Sequence, residues 1–517
     1  MSTNKSKTYY SLMNSSITTV VYVLNIAMRF GSRSVFIYFL GKEYLGLNGL
    51  FTSILSMLSL AELGIGPSIV FSLYKPLAKA DHAQTKALMR LYKRVYVIIG
   101  IVVAALGMGL FPFIDHLIKG GENLQNIHII YLLYLSNSVI SYFFSYNRSL
   151  LMADQKAYKS TLNTFAFATM TIIAQIAVLF LTHSYILYII CEITFTFLSN
   201  LVLTYMVKKS YKHIDAAETV KLEKETIDFL KRNTIGSISS RLGYIVVNST
   251  DNLLLSYFVN IATVGIYSNY SLIYINLQGV IVSVADSVTA SVGHAAAQHD
   301  DAQSYSILKR HYFLVFCVTM VTSLGLFLCI NPLIHVWIGD SYLLSQTVVM
   351  LIVANFLLQC MRRTFLVFIS GFGLNWVQRF KPLAEAGLNI VFSLFFLLVY
   401  KWGIAGVLLG AVLSCLMTDM WYEPYVVFKH AVKRPYKDFV RISIKYYLSF
   451  ALAFALGFFA THYLPIDGFV KLIVNGVLAI AITGIVIISL FHKSTEFKYL
   501  LGLIGGIARK VLGKFRR

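Results

Sequence analysis

Charge is scarce in this 517-residue chain: 13% of its residues are Asp, Glu, Lys or Arg, about half the share of a soluble globular domain. What charge there is leans one way, with 44 Lys and Arg against 23 Asp and Glu. Cysteine is nearly absent. All five (Cys191, Cys317, Cys329, Cys360, Cys415) fall within apolar runs and none has metal-ligand spacing. That excludes a disulfide framework and a cysteine metal centre, and they read as small packing residues. Long polar loops are lacking too. Segments such as "DHLIKGGENLQN" and "HVWIGDSYLLSQ" are too short to carry a catalytic apparatus, and they hold no paired carboxylates, nucleophile or metal motif. An enzyme is therefore not expected, and no catalytic residue, metal or cofactor is assigned. His294, His299 and His311 match no metal spacing and read as a solvated loop.

Apolar sequence is abundant. The chain is 57% hydrophobic, with a mean hydropathy of +0.70, and the runs recur from end to end. This predicts an all-α, polytopic membrane protein. We place fourteen spans near 17–40, 44–74, 95–114, 127–153, 160–181, 185–207, 235–259, 264–292, 313–334, 344–371, 382–400, 403–428, 446–464 and 470–491. The N-terminal apolar run has no small-residue cleavage site and contains Arg29, so it reads as an uncleaved first span. Alternate loops divide the cations: 34 of the 44 Lys and Arg fall on one side, and only Lys42, Lys119, Lys401 and Lys471 on the other. The asymmetry places both termini in the cytoplasm and accounts for the +21 net charge without nucleic acid.

The charged segment 208–234 separates residues 1–207 (spans 1–6) from 235–428 (spans 7–12); it suits a surface amphipathic helix or a solvated linker equally. Residues 429–517 add spans 13 and 14, which look peripheral, and a basic amphipathic tail for an anionic leaflet. The two halves resemble each other weakly: Gly46 and Gly265 take equivalent places, and a polar stripe ending at Arg148 corresponds to one ending at Arg362 and Arg363. Repeats related by an axis along the membrane normal would explain this, with a solute path at their interface. In "ELGIGPS", Gly64, Gly66 and Pro67 should bend the long second span.

Six arginines lie within spans: Arg29, Arg33, Arg148, Arg241, Arg362 and Arg363. At about 3 kcal/mol each on insertion scales, their combined cost is roughly 18 kcal/mol, more than a typical folding stability. Arg29 and Arg33 share a helix face with Asn25. Arg241, Asn248, Asp251 and Asn252 form another polar stripe. One reading is a wet, cation-lined cavity; Arg148 and Arg241 could instead snorkel to a helix end. Another is internal ion pairing, since Glu62, Glu192, Asp251, Asp286, Glu385, Asp419 and Glu423 nearly balance the arginines. Guanidinium forks bind phosphate bidentately, and amides and aromatic rings suit sugars.

"RSVFIYFLGKEYLGLNGLFTSILSMLSLAELGIGPSIVFSLYKPLAKAD", residues 33–81, closely resembles the N-terminal signature of bacterial capsule and exopolysaccharide repeat-unit flippases (Wzx-like polysaccharide transporters), members of the multidrug/oligosaccharidyl-lipid/polysaccharide exporter superfamily. "VVNSTDNLLLS" and "VGIYSNYSLI" are similar to the matching later segments. The resemblance implies two six-helix lobes plus two C-terminal helices. It also implies transfer of undecaprenyl-pyrophosphate-linked oligosaccharide to the outer leaflet of the bacterial plasma membrane by alternating access. Arg29, Arg33, Arg148, Arg241, Arg362, Arg363, Asn25 and Asn248 would then hold the substrate, and Glu62 or Asp251 a coupling H+ or Na+. A polymerase and export machinery are the partners expected of a monomeric carrier. A multidrug antiporter of the same superfamily, or a lipid II or teichoic-acid precursor flippase, is the alternative.

Overall fold

A computed structural model describes residues 7–62, 65–122, 124–216, 218, 220, 222, 242–243, 245–247, 249–298, 300–462, 466–502 and 505. Among them every regular element is helical, and twelve helices are long and apolar enough to cross a membrane. In chain order the elements are α1 (Lys7–Leu58), α2 (Ile65–Ala78), α3 (His82–Leu110), α4 (Ile127–Ala153), α5 (Ala157–Thr182), α6 (Tyr185–Ser210), α7 (Ile261–Asp286), α8 (Thr289–Gln298), α9 (Asp301–Ile338), α10 (Gln346–Met361), α11 (Arg363–Gly371), α12 (Lys381–Phe395), α13 (Ile404–His430), α14 (Tyr436–His462) and α15 (Gly468–Phe491). A further helical stretch, described in part, precedes α7 at 242–258. Side-chain caps set several starts: Asp81 accepts from the Gln84 amide at 2.9 Å and Asp300 from the Gln303 amide at 2.9 Å.

The polytopic all-α expectation holds, and the count differs where helices join or break. The first two predicted spans share α1, which is kinked at Gly41 (φ 78°), a left-handed conformation that glycine tolerates. The predicted second span does not continue as one bent helix. It passes from α1 through a short 3₁₀ turn, Ser59–Glu62, and helix restarts at Ile65. Pro67 falls in the first turn of α2, where its missing N–H costs no intrahelical bond.

The chain forms two compact units, Met1–Gly265 and Ile266–Arg517. The stretch before α7 belongs to unit 1 because its polar groups are satisfied there. Asn252 donates to Ser53 Oγ at 2.9 Å, Ser256 donates to the Leu117 carbonyl at 2.6 Å, and the Ile261 amide donates to the Lys119 carbonyl at 2.9 Å. Gly46 and Gly265, matched in the sequence repeat, meet directly in this unit. A Cβ on Gly46 would strike the Ile261 carbonyl, and one on Gly265 would strike the Lys42 carbonyl. The crossing is reciprocal, with each glycine admitting the other segment's main chain. Gly46→Ala is expected to destabilise unit 1 by about 1–3 kcal/mol through overpacking. Thermal unfolding in detergent checks it, with Gly476→Ala, where an added Cβ meets nothing within 4 Å, as the unaffected control.

In unit 2 the helices expected to be peripheral are part of the core. Phe313 and Phe316 of α9 are buried with Tyr446 and Phe450 of α14 and Phe491 at the end of α15. The Phe316 and Tyr446 rings stack at 4.2 Å. Stacking and shared burial tie α14 and α15 to α9. Their few charges look peripheral in the sequence, but their aromatic faces decide the packing.

Candidate functional site

Three of the intramembrane arginines, Arg29, Arg33 and Arg148, lie in described parts of unit 1. Arg29 is exposed on α1 and Arg33, one turn on, is partly buried, with Asn25 partly buried one turn earlier. Arg33 lies near Tyr134 of α4 and Tyr185 and Tyr188 of α6. Those rings are held by α1 itself and by one another. Asn48 donates to the Tyr134 hydroxyl at 2.6 Å, the Tyr134 and Tyr185 hydroxyls share a 2.9 Å hydrogen bond, and Phe36 meets Tyr185 and Tyr188 edge-on. α1 therefore places its stripe against an aromatic wall whose hydroxyls are already organised.

Arg148 lies on α4 within a layer of amides and hydroxyls. Its Nη2 donates to Asn200 Oδ1 at 3.3 Å; beside it Asn147 donates to Thr204 at 2.9 Å and Asn163 to Ser199 Oγ at 2.9 Å. Neutral acceptors hold this guanidinium without cancelling its charge. Among the described residues, no ion pair involves Arg29 or Arg148. Of the intramembrane carboxylates of unit 1, Glu192 lies near Tyr134, Tyr185 and Tyr188. Tyr96 donates to Glu62 at 3.0 Å, whereas Oδ1 of Asp251 is buried with no hydrogen-bond partner among the described residues. Arg241 and Asn248 lie outside the described residues, as do most of the 208–234 segment and the tail beyond residue 505.

The arginines of unit 2 follow the ion-pair alternative. Arg362, at the junction of α10 and α11, directs Nε and Nη2 at Glu423 (3.2 and 2.6 Å) and Nη1 at Glu385 (3.2 Å), and it also pairs with Asp419. Lys381 joins the same cluster through Glu385 (3.1 Å), Glu423 (2.6 Å) and Asp419. Asp419 and Glu423 are 0% exposed, and Arg362, Lys381 and Glu385 are 7–8% exposed. Arg363 makes a bidentate pair with Asp286 at 3.2 and 2.7 Å in a more open position. Neither arginine is the unneutralised cation the substrate reading requires, because carboxylates from α7, α12 and α13 reach them. Lys381 was not expected here, since hydropathy places it in a loop. The available signal was spacing: Lys381 with Glu385 and Asp419 with Glu423 are both four apart, one helix face each. His311 is buried and bonds the Ala285 carbonyl through Nε2 at 3.1 Å, a core role rather than the solvated-loop position expected. The side chain of His294 and all of His299 lie outside the described residues.

The two units thus differ chemically. In unit 1, guanidinium groups face amides, hydroxyls and tyrosines, leaving hydrogen-bonding capacity for an added anion. In unit 2 those of Arg362 and Arg363 are consumed by protein carboxylates.

A family profile described as polysaccharide biosynthesis protein matches residues 11–290. No curated protein gives a significant sequence match. Among solved structures, the chain is similar to the lipid II flippase MurJ in an inward closed conformation, with TM-score 0.68, 13% identity, and coverage of 92% of this chain and 98% of that one. It is also similar to an inward-facing multidrug resistance MATE family transporter of the MOP superfamily (TM-score 0.61, 14% identity, 78% and 93% covered). A third similar structure is a MOP superfamily transporter from Pyrococcus furiosus, described by the reverse polarity of its binding pocket (0.54, 14%, 83% and 95%). At these identities the likeness establishes a shared transporter fold.

Proposed function

We propose that this chain, which belongs to the polysaccharide biosynthesis protein family, is a flippase for undecaprenyl-pyrophosphate-linked oligosaccharide repeat units in the bacterial plasma membrane. The units go to the outer leaflet for capsule or exopolysaccharide synthesis. One observation carries the reading: Arg29 and Arg148 lie on membrane helices with no ion pair among the described residues. A cation at membrane depth without a carboxylate is costly unless something anionic visits it. A diphosphate supplies that charge and matches the fork geometry of arginine. Arg33 and its tyrosines would take the phosphate and the first sugar, with Asn25 beside them. Arg362 and Arg363 have no part in this reading. A pump for organic cations would need the opposite polarity at Arg29 and Arg33.

The transfer breaks no covalent bond, and alternating access suffices. Asp251 is the better of the two coupling-cation candidates, because one of its oxygens is buried and unpartnered while Glu62 accepts from Tyr96. Asp251→Asn is expected to slow transport about tenfold, within the usual range of coupling free energies, and to remove its response to an imposed H+ or Na+ gradient in proteoliposomes. An unchanged response overturns that assignment.

Deleting the gene tests the function itself. The expected result is accumulation of a lipid-linked saccharide on the inner leaflet with loss of surface polymer. Accumulation of lipid II instead identifies a cell-wall precursor flippase, and accumulation of neither refutes the proposal.

A further inference from the structure

We propose that Trp376, Arg379 and Phe380, on the turn joining α11 to α12, form an interfacial binding site for the phosphate of a membrane lipid. The turn is built and held. The 3₁₀ segment Leu374–Trp376 follows Gly373, whose φ of 68° reverses the chain, and Tyr422 of α13 donates to the Val377 carbonyl at 3.1 Å. Arg379 lies over two rings at once, 4.3 Å from the centre of Trp376 and 4.7 Å from that of Phe380, and its Nη1 donates to the Trp376 carbonyl at 2.9 Å. The guanidinium thus rests against two rings, and one of its N–H groups is used. The remaining N–H donors lie in the plane of the group, the fork that phosphate oxygens accept.

Two further observations point to the occupant. Trp376 and Phe380 are 65% and 68% exposed, immediately beyond the ends of two membrane helices. Large rings at that level belong in the headgroup layer, where their apolar bodies meet acyl chains. Neighbouring Arg362, Arg363 and Lys381 are saturated by carboxylates, but no ion pair among the described residues involves Arg379. An uncompensated, pre-oriented guanidinium in the headgroup layer faces lipid phosphates. The site is independent of what the protein transports.

Quenching of Trp376 fluorescence tests the site. A full-length variant retaining Trp376, with Trp337, Trp402 and Trp421 replaced by Phe, is placed in phosphatidylcholine nanodiscs. Phosphatidylglycerol or phosphatidylcholine with brominated chains is then added at equal mole fraction. The expected result is a roughly fivefold higher apparent affinity for the anionic lipid, as one interfacial cation provides, and loss of that preference in Arg379→Ala. Equal quenching by both lipids, or a preference that survives Arg379→Ala, overturns the site. If Arg379→Ala does not fold, Arg379→Lys keeps the charge without the fork, and its preference should fall partway. Unbrominated undecaprenyl diphosphate that relieves the quenching identifies a diphosphate lipid as a second occupant. No relief restricts the site to bulk phospholipid; either result upholds a phosphate site.

Discussion

Replacing Arg29 and Arg33 together by alanine is expected to lower export of the lipid-linked saccharide at least about 100-fold, while protein remains in the membrane at normal abundance. A hydrogen bond to a charged group contributes about 1.5–3 kcal/mol, so removing two such donors from a diphosphate removes roughly 3–6 kcal/mol. The fold should survive. Arg29 is exposed, and the tyrosines facing Arg33 keep their bonds to Asn48 and to each other. Surface polymer and membrane abundance, measured on the same cells, separate the two effects. Normal export by the double variant would refute the substrate role, and loss of the protein itself would reassign these residues to folding. Arg→Lys at both positions should give an intermediate rate, since charge is kept and bidentate geometry is lost.

In unit 2 the largest expected effect concerns folding. Arg362→Ala leaves three buried carboxylates facing Lys381 alone. Breaking a buried ion pair from one side destabilises by about 3–5 kcal/mol, enough to empty the membrane of folded protein. Arg363→Ala removes an equally well-formed bidentate pair, but that pair is partly open to solvent, and about 1 kcal/mol or less is expected. Thermal unfolding of the two variants in detergent measures the contrast. Removing charge on both sides, as Arg362→Met with Glu423→Gln, should recover part of the loss. Equal stabilities for Arg362→Ala and the parent would show the cluster to be dispensable.

Sequence periodicity located the spans well where a helix stands alone. The predicted 127–153 span coincides with α4, Ile127–Ala153. At Glu62–Ser68 the expected bend rests partly on Gly64, outside the described residues, and a 3₁₀ turn at Ser59–Glu62 already ends α1 before it. Periodicity could not sort the arginines. Arg29 with Arg33 and Arg362 with Arg363 are similar signals in one dimension. What separates them is the arrival of Glu385, Asp419 and Glu423 from helices 23 to 61 residues further along the chain. Such partners are set by tertiary packing, and no local window contains them. Lys381 was hidden for the same reason. The aromatic faces of α14 and α15 read as ordinary apolar spans, although their rings complete the core around Phe313 and Phe316.

The unequal treatment of arginine gives the units different responses to voltage. Unit 2 cancels the charges of Arg362 and Arg363 internally, whereas Arg29 and Arg148 carry theirs uncompensated among the described residues. A fixed charge displaced across the whole field exchanges about 2.3 kcal/mol per 100 mV. In a cell polarised negative inside, these charges are therefore drawn inward, which under the proposed function is the side where substrate is made. Under the flippase reading proposed above, a bound diphosphate cancels that pull, so the resting potential would return the unloaded carrier and release it once loaded.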